Sequence, residues 1–253
     1  MPTYLYCLLI APTDAAAEVP RGLTGVGGED VRRLDVDGLV AWVGTVGSRA
    51  RSRSVETARA HDRVLRAALD LGVTPLPARG GQVFAGDAAC LAELAPKAGA
   101  LRAALERVAG CVEMTVHVAL GPQSVSADEA DGGSGRSTIA GQQAAGEPPA
   151  SVDRSGRQYL AQVRERLRLE RNVQVEAASA RLAIHAGVEG LVRGESSMLH
   201  PGPRPRLTIA HLIAREDPAR YREALAAVRI AHASIIHIGG PHAPYSFTEL
   251  ADG

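Results

Sequence analysis

Apolar residues recur along this chain with two rhythms, and the rhythm switches at glycines, prolines and an Asp-Gly pair. Tyr4 to Ile10 is almost continuously apolar or β-favouring and lies between Pro2 and Pro12. A short unbroken run of this kind predicts a strand covered on both faces. Gly22 to Gly28 reads as a turn-rich loop. Two short apolar runs, 31–36 and 39–43, then flank Asp37-Gly38, the pattern of a tight hairpin. Trp42, the only tryptophan, falls in the second run, where it anchors a core.

From Ser54 to Leu71 the period becomes helical. His61, Val64, Leu65, Ala68 and Leu69 share one face, Ser54 is placed to cap, and Gly72 ends the helix. Val73 to Phe84 is extended, because Pro75 and Pro77 exclude a helix and Gly80-Gly81 bends the chain. Asp87 is positioned to cap the next helix, in which Leu91, Leu94, Ala98, Leu101, Leu105 and Val108 step by threes and fours. Pro96 interrupts that helix and Gly110 terminates it.

Strict alternation returns in Cys111 to Leu120. Val112, Met114, Val116 and Val118 oppose Glu113, Thr115, His117 and Ala119, which predicts a half-exposed strand. Gly121 to Ala150 carries almost no large apolar residue and reads as a flexible insertion. A charged helix follows, from Arg154 to about Leu182, with Tyr159, Leu160, Val163 and Leu167 as its apolar stripe. Gly187 to Leu199 and Leu207 to Ala214 read as strands joined by a Pro-rich turn. Asp217 and Pro218 open another helix that turns Tyr221, Leu225 and Val228 inward, and Ala233 to Ile238 is the last strand.

From Val112 onward the order is strand, helix, strand, strand, helix, strand, the split βαβ or ferredoxin-like plan. The expectation is therefore an α+β protein of two domains. Residues 1–110 form an N-terminal α+β unit, and 111–253 form a modified ferredoxin-like unit with a Gly/Ser/Pro-rich insertion at about 121–153.

Composition narrows the class of function. With 28 basic and 28 acidic residues the formal charge is zero, so no nucleic-acid partner is signalled. Lys97 is the only lysine. No run approaches the roughly 20 apolar residues a membrane span needs, and Met1 to Ile10 reads as a first strand and not a signal peptide. Cys7, Cys90 and Cys111 form no C-x-x-C pair and sit in apolar runs, as buried thiols of a reducing cytoplasm do.

Candidate chemistry is sparse. His185, His200, His211, His232, His237 and His242 crowd the last third, but metal-ligand spacing is lacking, so no metal site and no cofactor are expected. His61 reads as a core histidine bonded to a backbone carbonyl. The glycines at 22, 25, 27 and 28 lack the strand-before, helix-after context of a phosphate loop. Arg49, Arg51 and Arg53 read as a solvated basic stretch. No paired carboxylates, triad or nucleotide fingerprint stands out.

Residues Gly239 to Phe247, G-G-P-H-A-P-Y-S-F, follow the apolar run Ser234–Ile238. This ending resembles that of the gas vesicle F/L proteins (GvpF/GvpL). The resemblance extends to Tyr4-Leu5-Tyr6, to His61-Asp62-Arg63-Val64-Leu65, and to Val73–Phe84, which is similar to an L-P-x-R-F-G-x-V-F segment with Gly80 in the aromatic position. Cys111-Val112-Glu113-Met114 and Ser155-Gly156-Arg157-Gln158-Tyr159-Leu160 are similar to further blocks, in the same order. The departures are Gly80 and His242-Ala243, where Trp-Pro is usual.

The resemblance implies a non-enzymatic, cytoplasmic accessory protein of gas vesicle assembly. It would bind the small hydrophobic major shell protein and other gas vesicle accessory proteins, help nucleate or extend the shell, and associate with the vesicle. The candidate partner-binding residues are Ile235, Ile236, Ile238, Pro241, Pro244, Tyr245 and Phe247, against the alternative that this tail seals a core. Two further readings stay open: a small-molecule-sensing ferredoxin-like module, and a metal-dependent enzyme built on the C-terminal histidines.

Overall fold

The computed structural model describes residues 1–10, 18–47, 54–78, 82–121, 151–231 and 233–248. The insertion at 122–150, Arg49, Arg51, Arg53 and His232 lie outside the described residues.

The first sheet is built around β1 (Thr3–Leu9), whose seven residues are all buried. It pairs antiparallel with β3 (Leu39–Thr45) on one side and with the short β4 (Leu76–Pro77) and β5 (Val83–Phe84) on the other, while β2 (Val31–Val36) closes the order β2-β3-β1-β4. Asp37 and Gly38 both take positive φ, 44° and 75°, and Val36 pairs directly with Leu39. That is the two-residue primed turn the Asp-Gly pair calls for.

Register slips between Leu5 and Cys7, so Tyr6 is the extra residue of a bulge. The slip reverses the strand's parity. Tyr4, Tyr6, Cys7 and Leu9 face one side with Trp42, and Leu5 and Leu8 face the other. On the first side lies α1 (Val55–Asp70), whose Ala60, His61, Val64, Leu65 and Ala68 are buried. Ser54 caps it, its Oγ accepting the Thr57 N–H at 3.1 Å. On the second side lie α2 (Asp87–Leu94) and α3 (Ala98–Val108), separated by a 3-10 turn at Pro96. The N-cap of α2 is Gly86 and not Asp87. The Asp87 carboxylate instead accepts from the Thr3 hydroxyl and from Arg32, each at 2.6 Å, and so ties the helix start to two strands.

The second sheet has the order β7-β8-β6-β9 with every neighbour antiparallel. Its central strand β6 (Cys111–Leu120) sends Val112, Met114, Val116, Val118 and Leu120 into a core formed with α4 (Ser151–Val188) and α5 (Pro218–Ala227). The helices contribute Ala177, Ala180, Ile184, Val188, Tyr221 and Leu225. Several boundaries differ from expectation. The helix runs past Leu182 to Val188, so β7 spans Val192–His200 and does not begin at Gly187. β8 covers Arg206–Ala214. β9 continues through Pro241 to His242, as a strand at a sheet edge can, because its outer N–H groups need no partner.

The two sheets are joined by buried and partly buried polar contacts. Arg215 donates to the Leu69 carbonyl at 2.7 Å and to the Thr74 hydroxyl at 3.1 Å, and that hydroxyl donates to the Cys111 carbonyl at 3.0 Å. Cys7, Cys90 and Cys111 are free and buried.

Candidate partner-binding face

The candidate residues in the C-terminal strand and tail divide into three environments. Ile235 and Ile238 lie half-buried on the helical side of the second sheet. With Leu225, Ala226, Val228 and Ile230 they line an apolar groove of about 320 Å³ between α5 and β9. Ile236 points away from it. The ladder passes from His117–His237 to Val118–Ile235, which leaves Ile236 as an unpaired bulge residue that is 52% exposed. Pro241 is also exposed.

Beyond His242 the chain turns onto the first sheet. Ala243 and Pro244 are buried, and Ala243 joins the core of Tyr4, Tyr6 and Trp42. Tyr245 is 39% exposed with its ring 6.3 Å from that of His61. Phe247 packs against the other face's cluster and against Gly194, whose Cβ would meet the ring at 3.2 Å. The groove-facing isoleucines and the tail aromatics thus belong to separate surfaces.

Glu113 holds the tail. Strand alternation predicts this side chain to be exposed, yet it is buried, because Ser246 covers it. Burial pushes its carboxyl above the usual range, against which the two bonds from Ser246 act. His61 differs from expectation as well. Its Nδ1 lies 3.1 Å from the Tyr4 hydroxyl and not against a backbone carbonyl, while Nε2 is buried with no hydrogen-bond partner among the described residues. Burial lowers its pKa to about 4.

The C-terminal histidines separate by face. His211 and His185 lie on the helical side, where Tyr221 and Glu195 receive them. His237 stacks on His117 at 5.7 Å, and His200 shares the Thr208 hydroxyl with His117. Burial and the neighbouring His237 both depress His117.

This arrangement of sheets recurs in known proteins. The profile of the family described as "Gas vesicle synthesis protein GvpL/GvpF" matches residues 2–249. The chain belongs to the GvpL/GvpF family. Gas vesicle protein L2 of Halobacterium salinarum is 27% identical over 256 residues, covering 96% of this chain and 90% of that protein. Two crystal structures share the fold. GvpF from Anabaena sp. PCC7120 matches with a TM-score of 0.68 at 17% identity, covering 99% of this chain and 97% of its own. GvpF from Microcystis aeruginosa matches at 0.70 and 15% identity, covering 98% and 99%. Family membership places the chain in gas vesicle assembly. Among the described residues, no helix is long and apolar enough to cross a membrane.

Proposed function

We propose that this member of the GvpL/GvpF family is a non-enzymatic, cytoplasmic assembly factor that binds the hydrophobic major shell protein and helps nucleate or extend the gas vesicle shell. The observation that carries the reading is the edge strand β9. Among the described residues it pairs with β6 alone, carries the exposed bulge residue Ile236, and borders the apolar groove against α5. A subunit that presents an apolar face to gas needs that face covered until assembly, and an open edge beside an apolar groove offers both backbone and side-chain contacts. In this reading Ile235, Ile236, Ile238 and Pro241 contact the partner, and Pro244, Tyr245 and Phe247 hold β9 in place.

We also infer a division into residues 1–110 and a ferredoxin-like unit of 111–253. The antiparallel order β9-β6-β8-β7 with helices on one face supports the split βαβ plan.

The test is co-expression with a major gas vesicle shell protein, followed by affinity capture. Ile236→Asp and Ala226→Glu each place a charge on the face without entering the core. Capture by the parent chain that both changes abolish supports the proposal. Capture retained by both moves the contact elsewhere, and no capture by the parent rejects direct shell binding.

A further inference from the structure

Outside this face lies a second cluster of polar side chains. His185 on α4, Glu195 on β7 and His211 on β8 converge on the helical side of the second sheet. Among the described residues they form the one group of three potential metal ligands, with their donor atoms all within 4.8 Å of one another. A single carboxylate oxygen, Glu195 Oε2, is 2.8 Å from His185 Nδ1 and 3.0 Å from His211 Nε2. The three come from three elements, separated by 10 and 16 residues, so no spacing motif announces them.

We propose that His185 Nδ1, Glu195 and His211 Nε2 form a binding site for one divalent transition-metal ion, with zinc the best match in ligand type. Two imidazoles and one carboxylate are a recurrent three-ligand set for zinc, with a fourth position left to water. Ligand atoms about 2.0–2.2 Å from a tetrahedral ion lie roughly 3.4 Å apart, between the short contacts to Glu195 and the outer limit of the cluster. Small side-chain rotations therefore suffice.

The surroundings supply the outer shell such a site needs. His211 is fully buried, and its Nδ1 sits 2.6 Å from the Tyr221 hydroxyl. With Nε2 on the ion, Nδ1–H donates to that hydroxyl and fixes tautomer and ring orientation. Glu195 Oε1 faces Arg181 at 3.6 Å, leaving Oε2 for the ion. His185, with 43% of its side chain exposed, leaves an entry path from solvent. The ion replaces two imidazole protons pointing at one oxygen and cross-links α4, β7 and β8 beneath α5. Its role here is to brace the second sheet, independently of how β9 meets a partner.

The test uses tag-free, full-length protein stripped with chelator and then freed of it, titrated with zinc sulfate and, separately, cobalt chloride. The expected result is one equivalent bound by elemental analysis, an intense tetrahedral cobalt absorption, and a melting temperature raised by zinc. His185→Ala and Glu195→Gln lower zinc affinity at least tenfold, with circular dichroism confirming that each is folded. His237→Gln binds as the parent does. Absence of stoichiometric zinc and cobalt uptake overturns the proposal. Uptake that survives both His185→Ala and Glu195→Gln, or that is lost in His237→Gln, overturns it too, because the ion then sits elsewhere.

Discussion

Glu113 and Ser246, 133 residues apart, are joined by two hydrogen bonds: the Ser246 N–H donates to Oε2 at 2.7 Å and its hydroxyl donates to Oε1 at 3.0 Å. The pair fixes the tail where Ala243 and Phe247 enter the clusters of the first sheet. One carboxylate in the central strand of one sheet thereby holds the segment that caps the other.

Removing that carboxylate frees the tail. Glu113→Ala removes both charge-assisted hydrogen bonds to Ser246 and is expected to cost roughly 1–3 kcal/mol. Glu113→Gln keeps one acceptor and one donor toward Ser246 and stays within about 1 kcal/mol of the parent. It also removes a charge that burial disfavours. The folded carboxyl is raised, so its contribution is present below the unfolded pKa and is lost as pH rises through the folded one. Urea unfolding at neutral pH measures both variants. Limited proteolysis beyond His242 is expected to accelerate in Glu113→Ala alone.

His61 makes the fold sensitive to acid. It is 4% exposed, and burial lowers its pKa from 6.5 to about 4. The unfolded chain therefore takes up a proton below pH 6.5 that the folded chain refuses until near pH 4. The neutral imidazole's contribution is full above 6.5 and falls by roughly 3 kcal/mol by pH 4, at about 1.4 kcal/mol per unit. Denaturation midpoints recorded across this window for the parent and for His61→Gln are expected to differ in slope by up to one proton. Parallel profiles would show that other groups govern the acid limb.

The isoleucines of β9 separate stability from contact. Ile236 is an exposed bulge residue, so Ile236→Asp is expected to change stability by no more than about 0.5 kcal/mol. Ile238 packs against the core of the second sheet, and Ile238→Asp is expected to cost more than about 2 kcal/mol by burying a charge. Thermal melts of the two purified variants check the contrast. A stable Ile236→Asp makes any loss of shell-protein capture a loss of contact.

Much of this architecture was legible from period and punctuation. Asp37-Gly38 dictates its turn, Ser54 and Gly72 bound α1, and Pro96 splits α2 from α3 because each acts locally on its own backbone. The stripe expected on α4 is not a buried one, since Tyr159, Leu160 and Leu167 stand exposed. The other failures depend on residues distant in sequence. Asp87 looks like a cap until Thr3 and Arg32 compete for its carboxylate. Glu113 alternates as an exposed residue until Ser246 covers it. Pro241 seems to end a strand, but β9 lies at an edge and needs no N–H there. Of the candidate binding residues, Ile235 and Ile238 were recognisable as apolar strand positions. That Ile236 stands outside the ladder follows from a bulge that apolarity does not reveal.

The end of α4 shows the same dependence and gives a further prediction. Gly187 suggests the start of a strand, yet it lies within the helix. A Cβ at this position would stand 2.4 Å from Val228 Cγ2, so glycine lets the residue after α5 press against α4. Gly187→Ala gains about 1 kcal/mol of helix propensity and loses roughly 1–3 kcal/mol to overpacking, for a net destabilisation. Val228→Ala removes the offending methyl groups at the expense of some half-buried apolar contact. The double variant is expected to be more stable than the sum of the two single changes, with a coupling of about 1 kcal/mol or more. Denaturant unfolding of all four proteins measures that coupling. Strict additivity would mean that the two helices separate without resistance and that Gly187 is not held by Val228.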